Sequence, residues 1–254
     1  MKIVFAGPTL FGLVRDGGIE GRPGLIVRGP AAQGAIYRAV VEGADAIGLI
    51  DGRYDDVAAP WHKEILYGLG LGVHMLGAGS LGALRAAECA AFGMIGIGEV
   101  FERYRARIYE DDADVAQLHG PEEMDYLPLS EPMVNIEATL EHLLAMRAIE
   151  PATAEAVRAA ARGIFFKQLP IPAVVASLGW AAEPAAQLEG LLTRHRIDQK
   201  RIDAIALLDA LEALPDARRT DRPDWQMAQP YQWRRFVSQV EASEAAASSS
   251  AAAT

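Results

Sequence analysis

A serine stands between an apolar run and a helical pattern, within Gly77-Ala78-Gly79-Ser80-Leu81-Gly82. A strand, a tight glycine turn, a hydroxyl and then a helix is the layout of a nucleophile elbow, with backbone N–H groups at hand for an oxyanion. The strict Gly-x-Ser-x-Gly pattern is broken, because Ala78 occupies its first glycine position. Three roles therefore stay open for Ser80. It is an N-cap, the commonest use of serine at a helix start, or part of an anion site with Gly79 and Gly82, or a nucleophile.

Two other segments put polar residues at the ends of apolar runs, where open α/β sheets gather their ligands. Gly7-Pro8-Thr9 follows the first run, and Asp51-Gly52 follows the third. Ten residues beyond Asp51 comes Trp61-His62-Lys63-Glu64, which offers a base, a cation and an acid on one helical turn. Consecutive helical residues point in different directions, so one or two of His62, Lys63 and Glu64 can face a common site. Arg85 and Glu88 are three apart on the helix that begins at Ser80 and share a face. A solvated acidic loop explains Asp111, Asp112 and Asp114 with His119 better than a metal does, since no metal-binding spacing is present. Cys89 is the only cysteine and reads as a small buried hydrophobe, so no intramolecular disulfide and no cysteine-based zinc cluster is expected.

These residues need a frame. Of 254 residues, 51% are hydrophobic and 23% charged, which suits a packed core. Lys and Arg number 24 against 34 Asp and Glu, and the net charge of −10 argues against nucleic acid or anionic lipid as partner. Residues 1–14 are apolar but lack a cleavage site and read as a buried first strand. Residues 65–84 carry no charge, yet six glycines break them into a helix end, a strand and a helix start. No membrane span is expected, and the cytoplasm is the expected compartment.

Four apolar runs, at 2–6, 24–28, 46–50 and 73–76, are the expected strands. Helical patterns at 31–42, 61–69 and 81–92 alternate with them, and another follows at 99–108. The fold class is thus α/β, a Rossmann-like and mainly parallel sheet with helices on both faces. A Gly-x-Gly-x-x-Gly after the first strand is missing, which counts against NAD, and there is no P-loop. After Pro128 the character changes. Helices at 132–148, 151–167, 170–178, 184–195 and 199–214 form a C-terminal helical subdomain, and the first four begin near a proline. The expected division is an α/β core at 1–128, the helical part at 129–215 and an irregular tail at 216–254, with Ala/Ser low complexity from Glu241.

Read in order, FAGPTL, GLIDG, PWHKEIL, GAGSLGALRAAE, FGMIGIGEVFERY, DDADVAQLH and LPLSEPMVNI resemble the TfuA-like family over roughly residues 2–140. The resemblance implies a role beside a YcaO enzyme, which uses ATP to activate a peptide amide whose oxygen is replaced by sulfur. It also implies a ThiS-like carrier whose C-terminal thiocarboxylate is hydrolysed to supply sulfide, and the precursor peptide as a further partner. No cofactor is expected for this chain, since ATP belongs to the YcaO partner. On the matching segments, Ser80 would attack or its turn would hold the oxyanion, and His62 or Lys63 would act as base with Asp51 orienting one of them. Arg85 would bind the thiocarboxylate with Glu88 fixing its guanidinium, while Gly7, Thr9, Gly79 and Gly82 would line the anion site. The alternative is a non-catalytic docking partner of the YcaO enzyme, with the helical half as its surface. A serine hydrolase of the α/β type fits poorly, because no Asp and His pair follows Ser80 in strand-end context.

Overall fold

The computed structural model describes residues 1–54, 57–221 and 223–251, with side chains up to residue 243. The chain alternates short apolar strands with helices in its first hundred residues. In order they are β1 (Lys2–Phe5), β2 (Val14–Arg15), β3 (Gly18–Ile19), β4 (Leu25–Arg28), α1 (Ala35–Val41), β5 (Ala46–Leu49), α2 (His62–Gly70), β6 (His74–Ala78), α3 (Leu81–Cys89), β7 (Ile95–Ile97) and α4 (Glu99–Arg105). The remainder is helical: α5 (Met133–Ala145), α6 (Pro151–Arg162), α7 (Ile171–Ser177), α8 (Ala182–Arg194), α9 (Gln199–Ala213) and α10 (Tyr231–Ala251).

Five strands form one sheet in the order β4-β1-β5-β6-β7, and every pairing is parallel. The α/β class with helices on both faces is therefore confirmed. Parallel strands buried on both sides must be apolar throughout, and β1 and β5 are buried at every position. Alternate residues serve the two faces. Ile3, Phe5, Ile47, Leu49 and Met75 pack under α1, α2, α3 and α4. Val4, Ala6, Ala46, Leu76 and Ala78 pack under α9. Strand β7, three residues long with two isoleucines around a glycine, is too short to stand out in the hydrophobic pattern.

Helix α9 belongs to the sheet, not to the helical layer where its sequence neighbours place it. Its Leu207, Leu208 and Leu211 are buried there, each burial contributing about 1.5–3 kcal/mol of transfer free energy. The approach requires Gly48 in β5, since a Cβ at that position would lie 2.5 Å from Leu211. The physical reason is simple: a two-faced parallel sheet needs a cover on its second face, and α1 to α4 all lie on the first. Helices α5 to α8 build a separate core from Ile136, Leu140, Leu143, Val157, Val174 and Leu192, among others.

The expected irregular tail is helical over α10. Trp233, Phe236 and Val240, at i, i+3 and i+7, form an apolar stripe that seats on Tyr37, with Trp61 and Tyr67 beside it. Residues 222 and 252–254 of that expected tail lie outside the described residues. Among the described residues, no helix is long and apolar enough to cross a membrane.

Candidate functional site

Because β1, β5 and β6 are parallel neighbours, the residues that follow them emerge side by side at one edge of the sheet. The chain runs from β1 to β4 on one side and returns to β5 on the other, so the strand order reverses between β1 and β5. Ligand crevices of open sheets form at such a point. Here a cleft of about 540 Å³ opens, lined by Pro8, Asp51, Ser80, His119, Lys167 and Lys200 with their neighbours.

Asp51 is buried at the floor. Its carboxylate accepts hydrogen bonds from the Gly7 N–H at 2.8 Å, the Thr9 N–H at 3.1 Å and the Thr9 hydroxyl at 2.7 Å. Gly7 and Thr9 thus spend these donors on Asp51, and serve the site by fixing that carboxylate. Ser80 follows Gly79, which takes φ +69°, and its own N–H closes the turn on the Ala78 carbonyl at 2.7 Å. A Cβ on Gly79 would lie 2.7 Å from the Lys200 carbonyl, so neither the backbone angle nor the space there admits a side chain. The Ser80 side chain makes no capping bond to α3, which removes the support for its N-cap role. The Gly82 N–H donates to the Ile50 carbonyl at 3.0 Å, and a Cβ there would collide with the Leu49 carbonyl. Gly82 is what lets α3 start directly against β5.

Lys200 completes the cleft. It lies in the first turn of α9, is 1% exposed, and donates from Nζ to the Val115 carbonyl at 3.0 Å and to Gln117 Oε1 at 3.3 Å. Asp51 Oδ1 stands 4.0 Å from the same nitrogen. Burial lowers the proton affinity of the amine below the ordinary lysine range, against the pull of Asp51. The sequence did carry a signal for this residue. Positions 200, 203, 204, 207, 208 and 211 trace one buried stripe of α9, and a lysine and an aspartate sit on it. His119 joins the lining, with Nδ1 2.7 Å from the Gly120 carbonyl and its ring edge-on to Tyr126.

The remaining predicted residues do not converge on this cleft. His62 and Arg85 line a second cleft, of about 660 Å³, where Glu88 Oε2 lies 2.8 Å from His62 Nε2 and 2.6 Å from Arg85 Nη1. Burial raises the Glu88 carboxyl, but the His62 bond and the Arg85 charge together hold it below its ordinary value. Lys63 points elsewhere and donates to the Ala228 carbonyl at 2.7 Å. Asp51 bonds to Gly7 and Thr9, and the expected link from Asp51 to His62 or Lys63 is absent among the described bonds. Glu64 is fully buried and accepts from the N–H groups of Trp61, Gly34 and Tyr37, which ties the starts of α1 and α2 together. Asp111 caps a short turn through the Ala113 N–H, and the Asp112 carbonyl accepts from Tyr54. Among the described residues no three His, Cys, Asp or Glu side chains gather as a metal site. Burial pushes the Cys89 thiol up to about 12, so it stays a thiol at neutral pH.

Residues 51–169 match the family model of TfuA-like proteins, a span that includes Asp51, Ser80 and the loop carrying His119. No curated protein matches the chain.

Proposed function

We propose that this chain, TfuA-like over residues 51–169, hydrolyses the C-terminal thiocarboxylate of a ThiS-like sulfur carrier and so supplies sulfide to a YcaO enzyme that forms thioamides on ribosomally made peptides. The observation that supports it most is a hydroxyl and a buried amine, Ser80 and Lys200, lining one cleft at the switch point of the sheet. Thiocarboxylate cleavage is acyl transfer, and needs an attacking oxygen, a proton acceptor and a donor for the leaving sulfur.

The residues divide that work as follows. Lys200 Nζ has two hydrogen-bond acceptors, Val115 O and Gln117 Oε1, which satisfy both N–H groups of a neutral amine and leave its lone pair free. The neutral amine takes the Ser80 proton as the Ser80 oxygen bonds to the thiocarboxylate carbon. The carbon–sulfur bond then breaks, sulfur leaves as sulfide and takes that proton from the ammonium. Water cleaves the resulting acyl-serine to a carboxylate. The net change is thiocarboxylate plus water to carboxylate plus hydrogen sulfide. Asp51, held by Gly7 and Thr9, stabilises the ammonium form 4.0 Å away.

Sulfide release from a purified thiocarboxylated carrier, with no YcaO enzyme present, tests the reading. Release that scales with the protein and is lost in Ser80→Ala supports it; release at the wild-type rate from Ser80→Ala removes Ser80 as nucleophile. A docking role is the second reading, favoured by apolar rings left on the helical layer, Phe165 at 58% and Trp180 at 40% exposure. On that reading the chain alone releases nothing, and thioamide appears only when the YcaO enzyme is added.

A further inference from the structure

The second cleft is cationic in a chain whose net charge is −10. Arg85, His62 and Arg235 line it. Glu88 is the acidic group in direct contact with two of them, and it bridges His62 and Arg85. Arg85 is further pinned by its Nε bond to the Pro60 carbonyl at 3.2 Å, and its side chain is 13% exposed. Its guanidinium is therefore held in place before any ligand arrives. Arg235, by contrast, is exposed on α10 and has no hydrogen-bond or ionic partner among the described residues.

The other lining groups are not those of a bare anion site. Tyr231, Arg235 and Gln239, four apart, present one face of α10 to the cleft, with Gln232 beside them. Trp61 and Phe236 stand 5.9 Å apart and edge-to-face, and Trp61 is only partly covered. Tyr231 is 67% exposed. Gln33 faces the same space from the loop before α1. The Trp61 and Tyr231 rings, the less covered aromatics of the lining, offer apolar faces to stack against, and three carboxamides offer both donors and acceptors. Arg235 offers its guanidinium fork to phosphate oxygens, and Arg85 adds the Nη2 N–H groups that its Pro60 and Glu88 contacts do not use. A cleft of about 660 Å³ matches the size of a small organic ligand.

We propose that this cleft binds a small organic phosphate bearing a planar heteroaromatic ring, of the size of a mononucleotide. Arg85 and Arg235 take the phosphate, and the aromatic and glutamine side chains take the ring. The site is separate from the strand-end cleft and does not depend on its chemistry.

Titration calorimetry of the full chain with AMP, inorganic phosphate and adenosine tests it. AMP is expected to bind at least about tenfold more tightly than either fragment, since a guanidinium bond and a ring contact are each worth roughly that factor. Arg235→Ala, at an exposed position that leaves the fold untouched, is expected to weaken AMP by about tenfold and leave adenosine unchanged. AMP no tighter than inorganic phosphate overturns the ring platform, and AMP binding that ignores Arg235→Ala, or no AMP binding, overturns the site.

Discussion

Lys200 Nζ stands 4.0 Å from Asp51 Oδ1, close enough for strong mutual influence and too far for a hydrogen bond. The two come from opposite sides of the chain's path. Asp51 lies two residues past the central strand β5, and Lys200 lies in the first turn of α9, the helix that covers the second face of the sheet. Asp51 directs its oxygens to Gly7 and Thr9, while Lys200 is satisfied by Val115 and Gln117. The amine is thus held beside a carboxylate without being locked to it, and burial outweighs that carboxylate in setting its proton affinity.

Lys200→Met is expected to reduce sulfide release by about 100-fold or more, the usual contribution of a positioned acid or base. The pH dependence follows from the direction of its shift. A depressed folded pKa means the unfolded chain binds more protons between that value and the ordinary lysine value of 10.5, so stability rises with pH through this window. The same neutral amine is the base for Ser80, so the rate rises with pH on its way up to the window. Urea unfolding and release assays across pH check both. A Lys200→Met variant that keeps either slope would show that another group titrates.

Asp51→Asn tests the floor. The Asn carbonyl oxygen can still accept from the Gly7 and Thr9 N–H groups, but its NH2 replaces the oxygen that accepts the Thr9 hydroxyl and removes the charge beside Lys200, at a cost of about 1–3 kcal/mol. The turn at Pro8–Leu10 loosens, and release falls with it. Equilibrium denaturation beside the release assay reads both effects. Wild-type stability in Asp51→Asn would mean that the Thr9 hydroxyl turns to accept from the new amide.

Gly82→Ala is expected to destabilise the protein, against its helix propensity. Alanine in place of glycine ordinarily favours a helix by about 1 kcal/mol. At this position the added methyl collides with the Leu49 carbonyl oxygen and lies 2.5 Å from the Leu49 carbonyl carbon, both backbone atoms at the end of β5 that cannot rotate away. Overpacking against backbone costs about 1–3 kcal/mol or more and shifts α3, carrying Ser80 with it. Thermal unfolding and release should both fall. A Gly82→Ala variant more stable than the wild type would contradict the contact.

Much of this arrangement was legible in the residues. Strands β1, β4, β5 and β6 and the helices α1 to α9 follow from apolar periodicity and from prolines at helix starts, and the strand-end positions of Asp51 and Ser80 follow from the parallel sheet. What the pattern could not supply was partnership across the chain. Nothing local says that α9 leaves its neighbours α5 to α8 to cover β1, β5 and β6, so Lys200 reads as a helix lysine until its stripe is drawn. His62, Lys63 and Glu64 illustrate the opposite limit. Their adjacency allowed one or two of them to share a site, but a helix turn sends His62 to Glu88, Lys63 to Ala228 and Glu64 into the core. Helix α10 was hidden by its Ala/Ser composition, although Trp233, Phe236 and Val240 already carried the helical period.

Glu64→Gln separates structure from chemistry within that triplet. Glu64 joins two helix starts through three N–H groups, and a carboxamide can accept at one oxygen only, so the variant loses about 1–3 kcal/mol at neutral pH. Burial raises the Glu64 carboxyl above its ordinary value of 4.5, over the opposing pull of the three N–H groups and Arg38. With a raised folded pKa, the folded chain binds more protons than the unfolded one in the window above 4.5. The wild type therefore gains stability from this group as pH falls through that window, and loses it as pH rises past the folded value. Gln does not titrate. The stability gap between wild type and Glu64→Gln should widen on mild acidification, while sulfide release measured on folded protein at neutral pH stays near wild type. Chemical denaturation at several pH values reads the gap, and a gap that closes toward acid would mean the folded chain holds Glu64 ionised more firmly than water does.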